Sequence, residues 1–232
     1  MHIEILVEDK SGGVILDSIF AKICSDQDRM WTYSIHPHRG AGRLPDALDG
    51  RPKLRETTLL ELLPAKLRAY RQLYCQGMPL LIVVVLDADD NPSKAYFNRL
   101  LKVTHVVGRE LPVIIGLAVE ELEAWLLGDE EAILKAYPDA DTKVIRAYEQ
   151  DSVCGTWEIL CRAILRERGE QLIELGYPAV GKHKYDWASK ISPHLDLENN
   201  KSPSFQRFYN YLVKGLELYR VPIAGETCQD EY

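Results

Sequence analysis

An α/β protein with a mostly parallel sheet, helices on its faces and a helical C-terminal extension is predicted by three observations. The stretch Pro79 to Asn91, P-L-L-I-V-V-V-L-D-A-D-D-N, holds seven consecutive apolar residues, four of them β-branched. That run is too short for a free-standing helix and suits a strand buried on both faces. Strand-like and helix-like patterns then alternate along residues 1–136, as in doubly wound sheets. Finally, three strand candidates end in acid: Glu8-Asp9, Asp87-Ala88-Asp89-Asp90, and Glu120-Glu121-Leu122-Glu123. In a parallel sheet such ends share one edge, where open α/β folds place their ligands.

Taken in order, His2 to Val7 alternates and then runs apolar, which predicts a first strand. Ser11-Gly12-Gly13 leads into a helix whose apolar face carries Val14, Ile15, Ile19, Phe20 and Ile23. The glycines match neither G-x-x-x-x-G-K-[ST] nor G-x-G-x-x-G, so phosphate binding by those motifs is rejected. Thr32 to His38 predicts a second strand. A basic loop follows, carrying His36, His38, Arg39, Arg43, Arg51, Lys53 and Arg55, diluted by Asp46, Asp49 and Glu56. Leu54 to Tyr74 has helical spacing, interrupted or bent at Pro64. After the central strand, Asp90-Asn91-Pro92-Ser93 starts a helix to about His105, and Pro112 to Val119 predicts a fourth strand. Trp125, Leu126 and Leu122 read as core, and Asp129 as a cap for a short helix. Beyond residue 137 the pattern is amphipathic helix: Thr156 to Arg168, Gly169 to Leu175, Lys182 to Ile191 and Ser204 to Tyr219. This divides the chain into an α/β domain (1–136), a helical extension (137–220) and a flexible tail (221–232).

Composition narrows the class. An apolar fraction of 46% with 27% charged residues is that of an ordinary soluble globular chain. No run is long enough for a membrane span and the N-terminus lacks signal-peptide character, so a cytoplasmic location without membrane association is expected. Five cysteines without a C-x-x-C pair argue against a disulfide framework and a structural zinc site. His36 and His38 lack the partners a zinc set needs, which favours surface or anion-contacting roles. With a net charge of −7, unaided binding of duplex nucleic acid is disfavoured apart from the basic loop.

Clustered carboxylates repel each other unless a cation lies among them, and hard oxygen ligands suit Mg²⁺ or Mn²⁺. Asp87 and Asp89, two apart, point the same way if the strand persists. The competing account is local: Asp and Asn after strands form turns and caps, and Glu120 and Glu121 compensate a helix dipole. Lys182, His183, Lys184 and Lys190, with Tyr185 and Trp187, form a basic and aromatic group suited to a phosphate or base, or else a solvated helix face.

Together, I-E-I-L-V-E-D-K-S-G, V-V-V-L-D-A-D-D and G-L-A-V-E-E-L-E-A-W-L-L-G-D resemble a TOPRIM domain, the fold of primases, topoisomerases and overcoming-lysogenization-defect nucleases. The resemblance is closer to a bacterial TOPRIM-like family of uncharacterised function, often encoded beside AAA-type ATPases in phage-defence loci. It implies that Glu8 is the TOPRIM glutamate, serving as general acid/base or metal ligand, and that Asp87 and Asp89 are the metal-binding D-x-D pair. Glu120, Glu121 or Glu123 would add a further ligand, and Lys182 or Lys184 would neutralise remaining phosphate charge. The chain departs from E-G-x-x-D, having Gly12 where the second acid belongs. The implied activity is Mg²⁺- or Mn²⁺-dependent cleavage of DNA or RNA beside an ATPase partner in anti-phage defence. The rival is a non-catalytic effector or sensor on the same scaffold.

Overall fold

A computed structural model describes residues 1–25, 31–53, 55–152 and 155–218. The described elements are β1 (His2–Val7), α1 (Lys10–Cys24), β2 (Thr32–Pro37), α2 (Leu59–Cys75), β3 (Leu80–Asp87), α3 (Ser93–Val103), β4 (Val113–Ala118), α4 (Glu123–Leu127), α5 (Glu130–Ala136), α6 (Thr142–Ala147), α7 (Thr156–Leu165), α8 (Glu167–Leu175), α9 (Ala179–Ile191) and α10 (Pro203–Glu217). The four strands form one all-parallel sheet in the order β2-β1-β3-β4, a Rossmann-like arrangement.

Strand alternation sorts the core onto two faces. Ile3, Ile5 and Val7 of β1, with Leu81, Val83 and Val85 of β3, pack toward α1 and the later helices. Leu80, Ile82, Val84 and Leu86 turn the other way, onto α2 and α3. Burial on both faces is why β3 reads as an unbroken apolar run. Of the helices after residue 137, α10 packs on β4 and α9 on α1, and Leu160, Trp187, Phe205 and Phe208 join the core cluster that holds α1 and β1.

Several boundaries differ from the sequence reading. The first helix starts at Lys10, earlier than the glycines suggested, because Asp9 caps it by accepting the Gly12 N–H at 2.7 Å. Helix α2 runs uninterrupted through the buried Pro64, and the expected start at Leu54 lies outside the described residues. Helix α3 ends at Val103 and widens into a π-turn over Thr104–Gly108. The tail 221–232 also lies outside the described residues.

Gly12 is a packing glycine. A Cβ there would lie 2.6 Å from Leu122 Cδ1 and 2.9 Å from Val7 Cγ2, so the turn after β4 sits directly on the start of α1. Any larger side chain at this position, including the acid of E-G-x-x-D, requires Leu122 and Val7 to shift. Gly12→Ala is expected to lower stability by about 1–3 kcal/mol, read as a reduced urea midpoint at unchanged slope. An unchanged midpoint would mean that Leu122 moves aside freely.

Candidate functional site

Strand order reverses between β1 and β3, since β1 connects to β2 on one side and β3 leads to β4 on the other. Such a switch point opens a crevice at the carboxyl ends of the strands. Glu8 leaves β1 and Asp87 ends β3 at this point. Glu8 Oε2 accepts the Asp87 N–H at 3.3 Å, and the Ala41 N–H also faces its carboxylate. One oxygen of Asp87 accepts the Leu122 N–H at 3.0 Å.

Asp89 does not continue the alternation expected of it. The strand stops at Asp87, and Asp89 takes φ 45° while donating its N–H to Glu120 O at 2.9 Å. Glu120 is itself at φ 60°. Left-handed backbone at two non-glycine residues costs about 1–2 kcal/mol each. Both lie where β3 and β4 end, and strain of this kind concentrates at functional edges.

The third acidic stretch is divided among different duties. Both oxygens of Glu120 accept backbone N–H groups at the start of α7, from Gly155 at 2.8 Å and Thr156 at 2.9 Å. It therefore compensates the dipole of a helix 35 residues away rather than that of the helix beside it. Glu121 and Glu123 meet Lys184 of α9, at 3.2 Å and 3.1 Å. Glu123 and Lys184 are almost fully buried, and Glu123 Oε2 has no hydrogen bond of good geometry despite the ion pair. Of the two lysines expected to neutralise phosphate charge, Lys182 is exposed. Helical spacing carried this signal: Lys184 stands in register with the buried Val180, Trp187, Ala188 and Ile191, and Lys182 does not.

Charge at the edge is unbalanced. Burial, then the carboxylates of Asp89 and Asp9, push the Glu8 carboxyl up to about 7 against the two backbone donors. Burial and the Glu8 carboxylate raise Asp87 well above the usual carboxylate range, and burial with Asp90 and Glu120 raises Asp89. Burial and Glu123 push Glu121 up to about 7 even beside Lys184. Burial would lower Lys184, but Glu123, Glu121 and Asp87 outweigh it and keep the ammonium charged. One buried cation thus serves several carboxylates, and the remaining negative charge calls for protons or a further cation.

Among the described residues no three His, Cys, Asp or Glu side chains converge as a ready-made metal-ligand set. The donor chemistry of Glu8, Asp87 and Asp89 nonetheless fits a hard divalent cation: oxygen donors only, and excess negative charge at the carboxyl edge of the sheet. Asp9, the acid that directly follows Glu8, is engaged by Gly12 N–H and by the Ser11 hydroxyl at 2.7 Å.

Two neighbours escaped the sequence reading. Tyr96 of α3 is buried against the site, its hydroxyl pushed up to about 12 by burial and by Glu8, Asp89 and Asp87. The Arg99 guanidinium lies over its ring at 5.0 Å. The basic loop after β2 reaches the same edge: Gly40 N–H donates to Glu8 O at 3.0 Å, and Arg39, Arg43, Arg51, Lys53 and Arg55 are exposed. His38 Nδ1 donates to Val7 O at 2.9 Å, and His36 pairs with Glu4. Both histidines are thus held within the sheet's own bonding.

No protein-family model matches the chain, and neither a curated protein nor a solved structure matches it. No described helix is long and apolar enough to cross a membrane.

Proposed function

We propose that this protein is a TOPRIM-type, Mg²⁺- or Mn²⁺-dependent nuclease that hydrolyses phosphodiester bonds at the carboxyl edge of its sheet. The observation that carries the reading is the meeting of Glu8 and Asp87 at the β1/β3 switch point, where Glu8 accepts the Asp87 N–H and both carboxyls are raised by burial and by neighbouring carboxylates. Glu8, Asp87 and Asp89 would hold the cation. A divalent ion there supplies a water of lowered pKa and offsets charge on the phosphate oxygens.

The protein's own groups have separable roles. Glu8, balanced near neutrality, is suited to move a proton at its carboxylate. Lys184 holds Glu121 and Glu123 in place and is too buried to reach a substrate, so phosphate neutralisation falls to the exposed arginines and lysine of the loop beside Glu8. The net charge of −7 supports a division of labour in which a partner, an AAA-type ATPase on the resemblance, supplies part of the nucleic-acid affinity in anti-phage defence.

A second reading has an observation in its favour. Asp87, Glu120, Glu121 and Glu123 each have internal partners, and no ready-made ligand set is present among the described residues. That suits a non-catalytic effector that keeps the scaffold. Supercoiled plasmid and transfer RNA incubated with Mg²⁺ or Mn²⁺ separate the two, with and without a neighbouring ATPase and ATP. Cleavage is expected to require the cation and to fall at least 100-fold in Asp87→Ala, about the loss seen when a charge-stabilising group is removed. Cleavage retained in Asp87→Ala, or absent under every condition, sinks the nuclease reading.

A further inference from the structure

We propose that the groove over the outer edge of β4 is a nucleotide-binding site, which seats an unstacked base against Phe97 and Tyr211, above a floor closed by the buried Phe208, and gives the two flanking phosphates to Lys94 and Arg207. Among the described residues β4 pairs with β3 alone, and α3 and α10 flank it from opposite faces of the sheet. Between them is a cavity of about 280 Å³ whose lining includes Phe97, Leu117, Phe208 and Tyr211. A second cavity of about 290 Å³ continues it along Val113 to Ile115, sharing Phe97, Ile115 and Tyr211. Together they reach the size range of small-molecule sites.

Three features select a nucleotide over an apolar ligand. The groove adjoins the acidic edge: Ser93 and Lys94 begin α3 shortly after Asp90, and Val119 immediately precedes Glu120. Among the described residues no acid lines either cavity, although acids outnumber bases by 35 to 28 in the chain. Lys94 and Arg207 are both exposed at the first of these cavities and neither is ion-paired to a described residue. Aromatic faces beside unpaired cations are how single-stranded nucleic acid is held: every base has a π-face to stack, and every linkage has a charge to offset. The close fit of α10 on β4, where a Cβ on Gly116 would lie 2.7 Å from Phe208, fixes the ring that forms the groove floor. Tyr211, half exposed, supplies the outer wall.

The proposal rests on the phosphodiester reading for its choice of nucleic acid, but it needs neither metal nor cleavage. The full chain in EDTA is therefore titrated into fluorescein-labelled (dT)₆ and into an abasic hexamer of the same backbone, followed by anisotropy. Tyr211→Ala is expected to weaken (dT)₆ binding about 5- to 100-fold, the range base–aromatic stacking supplies, while Tyr211→Phe binds as wild type. The abasic hexamer should bind weakly and ignore Tyr211→Ala. Lys94→Ala/Arg207→Ala should flatten the salt dependence by about 1.4 in log–log slope, two single-strand phosphates' worth. Equal binding of (dT)₆ by wild type and Tyr211→Ala, equal binding of the two hexamers, or no binding of (dT)₆ overturns the proposal. Loss of cleavage with stacking intact would remove the nuclease reading and leave this site standing.

Discussion

Replacing Lys184 with Met is expected to cost about 3–5 kcal/mol of stability, read by urea denaturation at pH 7.5. The reason is asymmetry. A buried ion pair contributes little net stability when complete, but removing one partner leaves the other charge buried and unpaired. Here the stranded partners are Glu121 and Glu123, with Asp87 close enough to feel the loss. Adding Glu121→Gln and Glu123→Gln to Lys184→Met should recover most of the deficit, because the charges that needed Lys184 are then gone. A loss below about 1 kcal/mol in the single variant would mean that no stranded charge is left behind, and Lys184 would lose its role as counter-ion to the two glutamates.

The second large effect is a coupling between pH, divalent cation and stability. Glu8 is raised from 4.5 to about 7, so the folded protein binds more protons than the unfolded chain between those values. Its contribution to stability is fully present below about pH 4.5 and is lost as pH rises through about 7. For Glu8 alone the loss is roughly 3 kcal/mol by linkage, and the raised Asp87 and Asp89 act in the same direction. Other carboxylates titrate as well, so the diagnostic quantity is the difference between wild type and Glu8→Gln across pH 4.5 to 8. A cation that replaces the protons should restore stability above pH 7 and do little below pH 5. At one hundred times its dissociation constant the gain is about 2.7 kcal/mol. Thermal denaturation with EDTA, Mg²⁺ or Mn²⁺ at the two pH extremes reads this directly. Equal midpoints with and without cation at pH 8 would leave protons as the only balance for the cleft, and the metal assignment of Glu8, Asp87 and Asp89 would fall.

Much of the scaffold was legible from local pattern. The apolar run of β3, the alternation of strands and helices, and the acid at three strand ends predicted an α/β sheet with a loaded carboxyl edge, and the fold has that form. Trp125, Leu126 and Leu122 lie in the core, and Asp129 caps α5 by accepting the Ala132 N–H. Boundaries were less legible at α1 and α3. Asp9 outweighs the helix-weakening glycines as a cap, and α3 runs on into a wider π-turn rather than stopping cleanly.

The division of labour among the acids was not legible, since it depends on partners distant in sequence. Glu8 and Asp87 meet across 79 residues, Glu120 finds the start of α7 across 35, and Lys184 reaches Glu121 across 63. Nothing in E-E-L-E tells which carboxylate will cap a helix, which will pair with lysine and which will stay near the crevice. Asp89 shows the same limit over a short distance: two-residue periodicity holds only while the strand lasts, and a left-handed turn ends it. Tyr96, Lys94, Arg207 and Tyr211 gain their positions from α3 and α10 flanking an edge strand.

By itself, then, the sequence determined the sheet, its two apolar faces and the acidic character of one edge, because periodicity and strand burial act over a few residues. Tertiary structure alone decided which charges face each other and which groove stays open, because burial and pairing of a charge depend on groups that only folding brings within a few ångströms.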